Sequence, residues 1–167
     1  MELKKFLAAA LAVTVIGGAL PVSAATAAEE IGDGVIITDV STSGKFGDIS
    51  WELDQQTGVL TLSGEGPVAY EGYSPWNDLH QEVTSIVVKE GVTSLPESVF
   101  SLCYAQTLDL PSTLTEIQGE ALGFLGLMPK LTEIRVAEGN TSYTSVDGVL
   151  FDKDMDTLLK YPIQKAD

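Results

Sequence analysis

One cysteine, one histidine and nine basic residues are all that this chain of 167 residues offers of three chemically useful types. A lone thiol, Cys103, cannot form an internal disulfide, so no cystine framework holds the fold. A single histidine, His80, leaves no spacing for a histidine-based metal site and no second imidazole for acid–base work. Cys103 and His80 would be the only nucleophile and base pair of that kind, and Cys103 falls at a position where the next repeat has Leu125, which reads as a small core residue. The 24 Asp and Glu give a net charge of −15. Beyond residue 24 the chain holds seven basic against 23 acidic residues. Such a field repels nucleic acid and anionic lipid, which need a basic footprint, and neither is expected as a partner. No motif implies a cofactor.

Long apolar runs are also scarce, with one exception at the start. Lys4 and Lys5 precede an uncharged run from Phe6 to Leu20, followed by Val22-Ser23-Ala24. That order matches an export signal over residues 1–24, with cleavage after Ala24 or, at the next small-residue site, after Ala27. The run is too short for a membrane span of ~20 residues, so no span is expected after cleavage. Residues 25–44 carry Ala, Thr, Gly and acids without a sustained period and read as a linker in which Val35-Ile36-Ile37 could form a short strand.

What the chain does have is a statement made twice, 22 residues apart. Ile86 corresponds to Leu108, Val88 to Leu110, Val92 to Leu114, Leu95 to Ile117, Val99 to Ala121 and Phe100 to Leu122, while Thr93 and Thr115 are identical. A third, partial copy follows after four extra residues, with Ile134 and Val136 in the places of Leu108 and Leu110. A fixed period of this length marks a stacked repeat over residues 83–140. Ile86, Val88, Leu108 and Leu110 alternate with polar neighbours and should point inward. Ser85, Val87, Lys89, Thr107, Asp109, Pro111, Glu133, Arg135 and Ala137 should point outward and line up in columns. Pro96 to Phe100 and Gly119 to Leu122 should return as short helical turns, with Phe100, Leu122 and Phe124 inside.

Residues 45–82 and 141–167 flank the repeats. Asp48–Leu53 and Val59–Ser63 alternate around Asp54-Gln55-Gln56-Thr57-Gly58, the pattern of a β-hairpin that caps the first repeat. Ser74-Pro75-Trp76 suggests a capping hydroxyl before a short helix, with Trp76 and Leu79 facing the core. Trp76 with Tyr70 and Tyr73 could instead stack on a sugar. Downstream, Val149-Leu150-Phe151 and Leu158-Leu159-Lys160-Tyr161 read as a second capping hairpin, packed through Leu150, Leu158 and Tyr161. Its turn contains Asp152, Asp154 and Asp156 at alternate positions, as a calcium loop begins, but Thr157 and Ile163 stand where the sixth-position glycine and twelfth-position glutamate belong. The turn reading is preferred, with weak divalent binding as the alternative.

The segment from Val83 to Cys103 resembles the repeat of BspA-like bacterial leucine-rich repeat proteins, and Leu108 to Ile117 looks like the same unit again. Gly58–Gly64 with Pro75-Trp76 upstream, and Val146–Lys153 with Leu158–Pro162 downstream, are similar to segments that border those repeats. The departures are Pro96-Glu97 in place of a Gly-Asp-like turn, Leu125 in place of a repeat cysteine, and the additional residues Gly126 to Lys130. The resemblance implies a secreted or cell-surface protein that binds other proteins, with adhesion to host matrix and coaggregation among the associated roles.

Together these features predict an α/β, β-rich fold: a short leucine-rich-repeat solenoid of parallel strands and helical turns, capped by β-hairpins. The expected function is non-catalytic protein recognition or adhesion, the partner being a host matrix or bacterial surface protein. The candidate binding face is Ser85, Val87, Lys89, Thr107, Asp109, Glu133 and Arg135. A structural brick in an extracellular assembly is the alternative, and a hydrolase a remote one.

Overall fold

In a computed structural model of the chain, residues 29–31, 35–37, 40–69, 74–97, 99–118 and 128–166 are described. The expected export signal lies outside them, as do the aromatics Tyr70 and Tyr73 and the expected second return segment with Leu122 and Phe124. Two short strands, β1 (Glu29–Ile31) and β2 (Val35–Ile37), pair antiparallel within the stretch read as a linker.

Three antiparallel strands follow: β3 (Ser43–Phe46), β4 (Ile49–Asp54) and β5 (Val59–Gly64). Alternation drives them, since Ile49, Trp51, Leu53, Leu60 and Leu62 are buried while Glu52 and Asp54 are exposed. The tight turn between β4 and β5 needs Gly58, whose φ of +72° is left-handed and whose added Cβ would lie 2.8 Å from the Glu82 carbonyl oxygen. Asp54 organises the same turn by accepting from Gln56 N and Thr57 Oγ1, and those bonds, Thr57 first, hold its carboxyl below its ordinary range.

After the two-residue β6 (Gly66–Pro67) comes a 3-10 turn at Asn77–Leu79, and then the repeats. Each contributes one strand to a large sheet: β7 (Ser85–Val88), β9 (Thr107–Leu110) and β11 (Glu133–Val136). They pair in parallel with Ile86 beside Leu108 and Leu108 beside Ile134, the register that the 22-residue spacing and its four-residue interruption predict. β5 pairs in parallel with β7, so the antiparallel meander and the repeats form one six-stranded sheet in the order β11-β9-β7-β5-β4-β3. The cap is therefore the first rung of the stack.

The α/β solenoid with helical turns is not what forms. Among the described residues there is no α-helix, the sheets are mixed, and the stack is not a closed solenoid. The return leg is extended: β8 (Val92–Leu95) and β10 (Glu116–Ile117) pair in parallel, with β6 on the other side of β8, as a second small sheet. Val92-Thr93-Ser94-Leu95 is short and β-branched at two positions, which favours strand. Pro96 keeps Leu95 out of the helical region, and the few residues to Phe100 cannot offset the cost of nucleating a helix. Val99 and Phe100 reach the core from turns instead.

Beyond β11 a third sheet, β12 (Tyr143–Val146), β13 (Val149–Asp152) and β14 (Leu158–Lys160), runs antiparallel in that order. Leu150 is fully buried as expected, but Leu158 and Tyr161 are exposed, and Leu159 packs on the core in their place. A register shift between Leu150 and Phe151 opposite β14 breaks the alternation that placed Leu158 inside.

One continuous core joins the rungs to the meander and reaches Leu150. At its N-terminal end Trp76 lies 5.8 Å from Trp51, 6.0 Å from Phe46 and 6.2 Å from Phe100, centroid to centroid. Such aromatic contacts are worth about 0.5–1.5 kcal/mol each beyond area burial. Trp76 thus serves as core, and Ser74 does not cap: its Oγ donates to the Val99 carbonyl.

Candidate functional site

Strand alternation places Ser85, Val87, Thr107, Asp109, Glu133 and Arg135 on the side of the six-stranded sheet away from the core. In the first column Ser85 stands beside Thr107, and Thr107 beside Glu133. The two hydroxyls share a hydrogen bond of 2.7 Å. In the second column Val87, Asp109 and Arg135 are neighbours. Arg135 Nη1 donates to Asp109 Oδ1 at 3.2 Å, and Nη2 to Glu133 Oε2 at 2.6 Å. The hydrogen bond from Arg135 holds the Glu133 carboxyl below its usual range, and Glu133 in turn raises the guanidinium. Lys89, just past β7, is exposed, whereas Pro111, expected outward, is buried.

The face is larger than the repeats suggested. Because β5 is hydrogen-bonded to β7, Val59 joins the first column and Thr61 the second. Asp54 and Glu52 extend these columns onto β4, and Lys45 stands opposite Ser50 on β3. Alternation in Asp48–Leu53 already marked Ser50 and Glu52 as outward. What could not be read was that the hairpin stacks in register on the first repeat, since nothing in its own sequence encodes a parallel neighbour.

Two residues that hold the far end of the face escaped sequence reading. Asn140 is buried, and its amide is fully used: Nδ2 donates to the Pro111 and Leu114 carbonyls, and Oδ1 accepts from Ser142 N and Tyr143 N. Tyr143 reaches back so that its hydroxyl accepts from Ile117 N at 2.9 Å, and burial raises its phenol. A Gly-Asn dipeptide at 139–140 is compatible with a turn and carries no sign of this buried amide.

The remaining candidates are separated from this face. Cys103 is buried, which pushes its thiol up to about 12, with the Trp76 indole opposing in part. His80 Nδ1 is engaged with the Asn77 carbonyl, and its ring meets Tyr104 edge-on at 6.1 Å. In the Asp152–Asp156 turn, Asp152 Oδ1 accepts from Thr157 N at 3.0 Å, which lowers that carboxyl, while Asp154 and Asp156 are exposed. Among the described residues no group of three His, Cys, Asp or Glu is placed to hold a metal. No helix among them is long and apolar enough to cross a membrane.

No family model and no curated protein matches the chain. Among solved structures it is similar to a leucine-rich repeat protein from Eubacterium ventriosum, at 19% identity and a TM-score of 0.34, over 77% of this chain and 51% of that one. A leucine rich cell surface protein from Faecalibacterium prausnitzii aligns at 20% identity and a TM-score of 0.45, over 63% and 28%. The pneumococcal vaccine antigen PcpA aligns at 17% identity and a TM-score of 0.24, over 78% and 58%. The chain thus spans between 28% and 58% of the length of these structures.

Proposed function

We propose that this chain is an exported, non-catalytic recognition module, akin to those of BspA-like proteins, that binds a protein partner through the outward face of its six-stranded sheet. Charge distribution carries this reading. The outward strand positions hold two of the seven cations found beyond residue 24 (Lys45 and Arg135), with Lys89 just past β7, but only four of the 23 acids (Glu52, Asp54, Asp109, Glu133). A strongly acidic molecule therefore has one nearly balanced face. Close approach of a protein surface there meets little of the repulsion that the rest of the molecule exerts. The sheet also holds Ser85, Thr107, Asp109 and Arg135 in fixed mutual contacts, so little side-chain freedom is lost on binding.

Host matrix and bacterial surface proteins are the partners to try. The test is a pull-down of the mature protein against both sets, in parallel with a Val87→Glu/Thr107→Lys variant. Capture by the native face and loss in the variant, with an unchanged melt, is the expected result. Equal capture by both would refute the assignment of this face. N-terminal sequencing of secreted material should find Ala25 or Ala28 at the start; recovery only of cytoplasmic chain with Met1 intact would refute export.

A further inference from the structure

The third sheet has two faces of different character. Tyr143, Ser145 and Leu150 turn toward the body of the molecule: Ser145 Oγ accepts from Val136 N, Tyr143 Oη from Ile117 N, and Leu150 is fully buried in the core. The register puts Thr144, Val146, Val149, Phe151 and Leu158 on the opposite face. There Val146 lies across from Val149, and Phe151 across from Leu158. Val146 is 44% and Leu158 47% exposed, and Val149, though buried, stands outside the core cluster. Val146 and Leu158 are thus the open apolar side chains of this outer face, with Phe151 half-buried beside Leu158 and Val149 covered.

The surroundings decide what covers it. Asp147 in one flanking turn and Asp154 and Asp156 in the other are exposed, against Lys153 alone. Lys160 projects on the core side, and Lys165 acts on Glu133. A second copy seated here by a twofold axis would oppose two such acidic rims on two acidic chains. A partner with apolar side chains between basic ones gains both burial and attraction.

We propose that the outer face of β12–β14 is a second docking surface, separate from the balanced sheet face, and that it takes an extended protein segment whose apolar side chains alternate with Lys or Arg. An alternating segment presents its apolar side chains to Val146, Phe151 and Leu158 and leaves its cations at the margin, within reach of Asp147, Asp154 and Asp156.

The experiment titrates the isotope-labelled mature chain with an octapeptide of alternating lysine and valine, followed by amide NMR, with a glutamate–valine octapeptide as control. Shifts should be confined to β12, β13, β14 and their turns, and the control should give none. Val146→Ser/Leu158→Ser, both exposed and so neutral to the fold, should weaken binding by about tenfold. Asp147→Asn/Asp154→Asn/Asp156→Asn should weaken it at about 0.05 M salt, with the difference from wild type vanishing at about 0.5 M. Absence of binding, shifts spread over the acidic surface and unchanged in the serine variant, or equal binding of the control would overturn the proposal. So would a dimer in sedimentation that the serine variant converts to monomer, since the face would then be occupied by a second copy.

Discussion

The two ends of the repeat stack are closed by different physics. At the N-terminal end β5 continues the sheet in register, so backbone hydrogen bonds and the Trp76 aromatic cluster both cross the junction. At the C-terminal end β12–β14 packs against β11 without extending its ladder. There Asn140 supplies two side-chain hydrogen bonds across the junction and Tyr143 and Ser145 one each, and Leu150 fills the core behind them. An end closed by a ladder spreads its stability over many equivalent contacts, whereas an end closed by a few side chains concentrates it.

The largest expected effect comes from removing the C-terminal closure outright. A chain ending at Ser145 loses Leu150 and the Gly148 carbonyl that pairs with Ile134 N, and should aggregate or lose its cooperative melt. A sharp, reversible transition in differential scanning calorimetry would show that the rungs stand without this sheet. Single substitutions then compare the two ends. Trp76→Ala should cost about 3–5 kcal/mol by removing buried aromatic volume. Asn140→Leu should come close to it, about 2–4 kcal/mol, because two carbonyls and two amides lose their partner in a buried site. If urea titrations gave Asn140→Leu less than about 1 kcal/mol, the polar closure would not bear the stability assigned to it.

How far the sequence anticipated this contrast depends on whether the signal was periodic. The 22-residue repeat fixed the rung register, and alternation in Asp48–Leu53 and Val59–Ser63 marked the hairpin correctly. Both are periodic and local. The extended return legs β8 and β10 were missed because a two- to four-residue strand has no period to detect, and its β character comes from pairing with the neighbouring copy. Leu158 was assigned inward by an alternation that the irregularity opposite β13 interrupts, a feature set by three-dimensional fit. Asn140 acts on groups 26 and 29 residues earlier, and such contacts leave no trace in a local pattern. The outward residues within the rung strands, by contrast, followed from the repeat, whereas Pro111, one residue past β9, is buried.

Alkaline titration separates the ends more gently. Burial raises the Cys103 thiol from 9.0 to about 12 and also raises the Tyr143 phenol above 10.0. Folded chain then holds these protons more tightly than unfolded chain. The resulting stabilisation is complete below the unfolded values and is lost as pH rises through the folded ones, so the melting temperature should begin to fall above about pH 9. Cys103→Ala should remove the first part of this slope with only a modest loss at neutral pH, and Tyr143→Phe the later part. A slope unchanged in both variants would place its origin elsewhere. The smallest effect is expected at the surface: Arg135→Ala should change stability by at most about 1 kcal/mol, because the guanidinium and both carboxylates are largely in water.

The closure of β11 carries a consequence for assembly. A bare strand at the edge of a sheet is a template, since its row of free amides and carbonyls accepts any extended chain, including an unfolded copy of the same protein. Here Ile134 N is taken by the Gly148 carbonyl and Val136 N by the Ser145 hydroxyl, so the outer amides of alternate residues are occupied before another chain arrives. Growth by strand addition at that edge would first have to detach the third sheet. Two ordinary hydrogen bonds thereby occupy the edge to which a further rung would have to add.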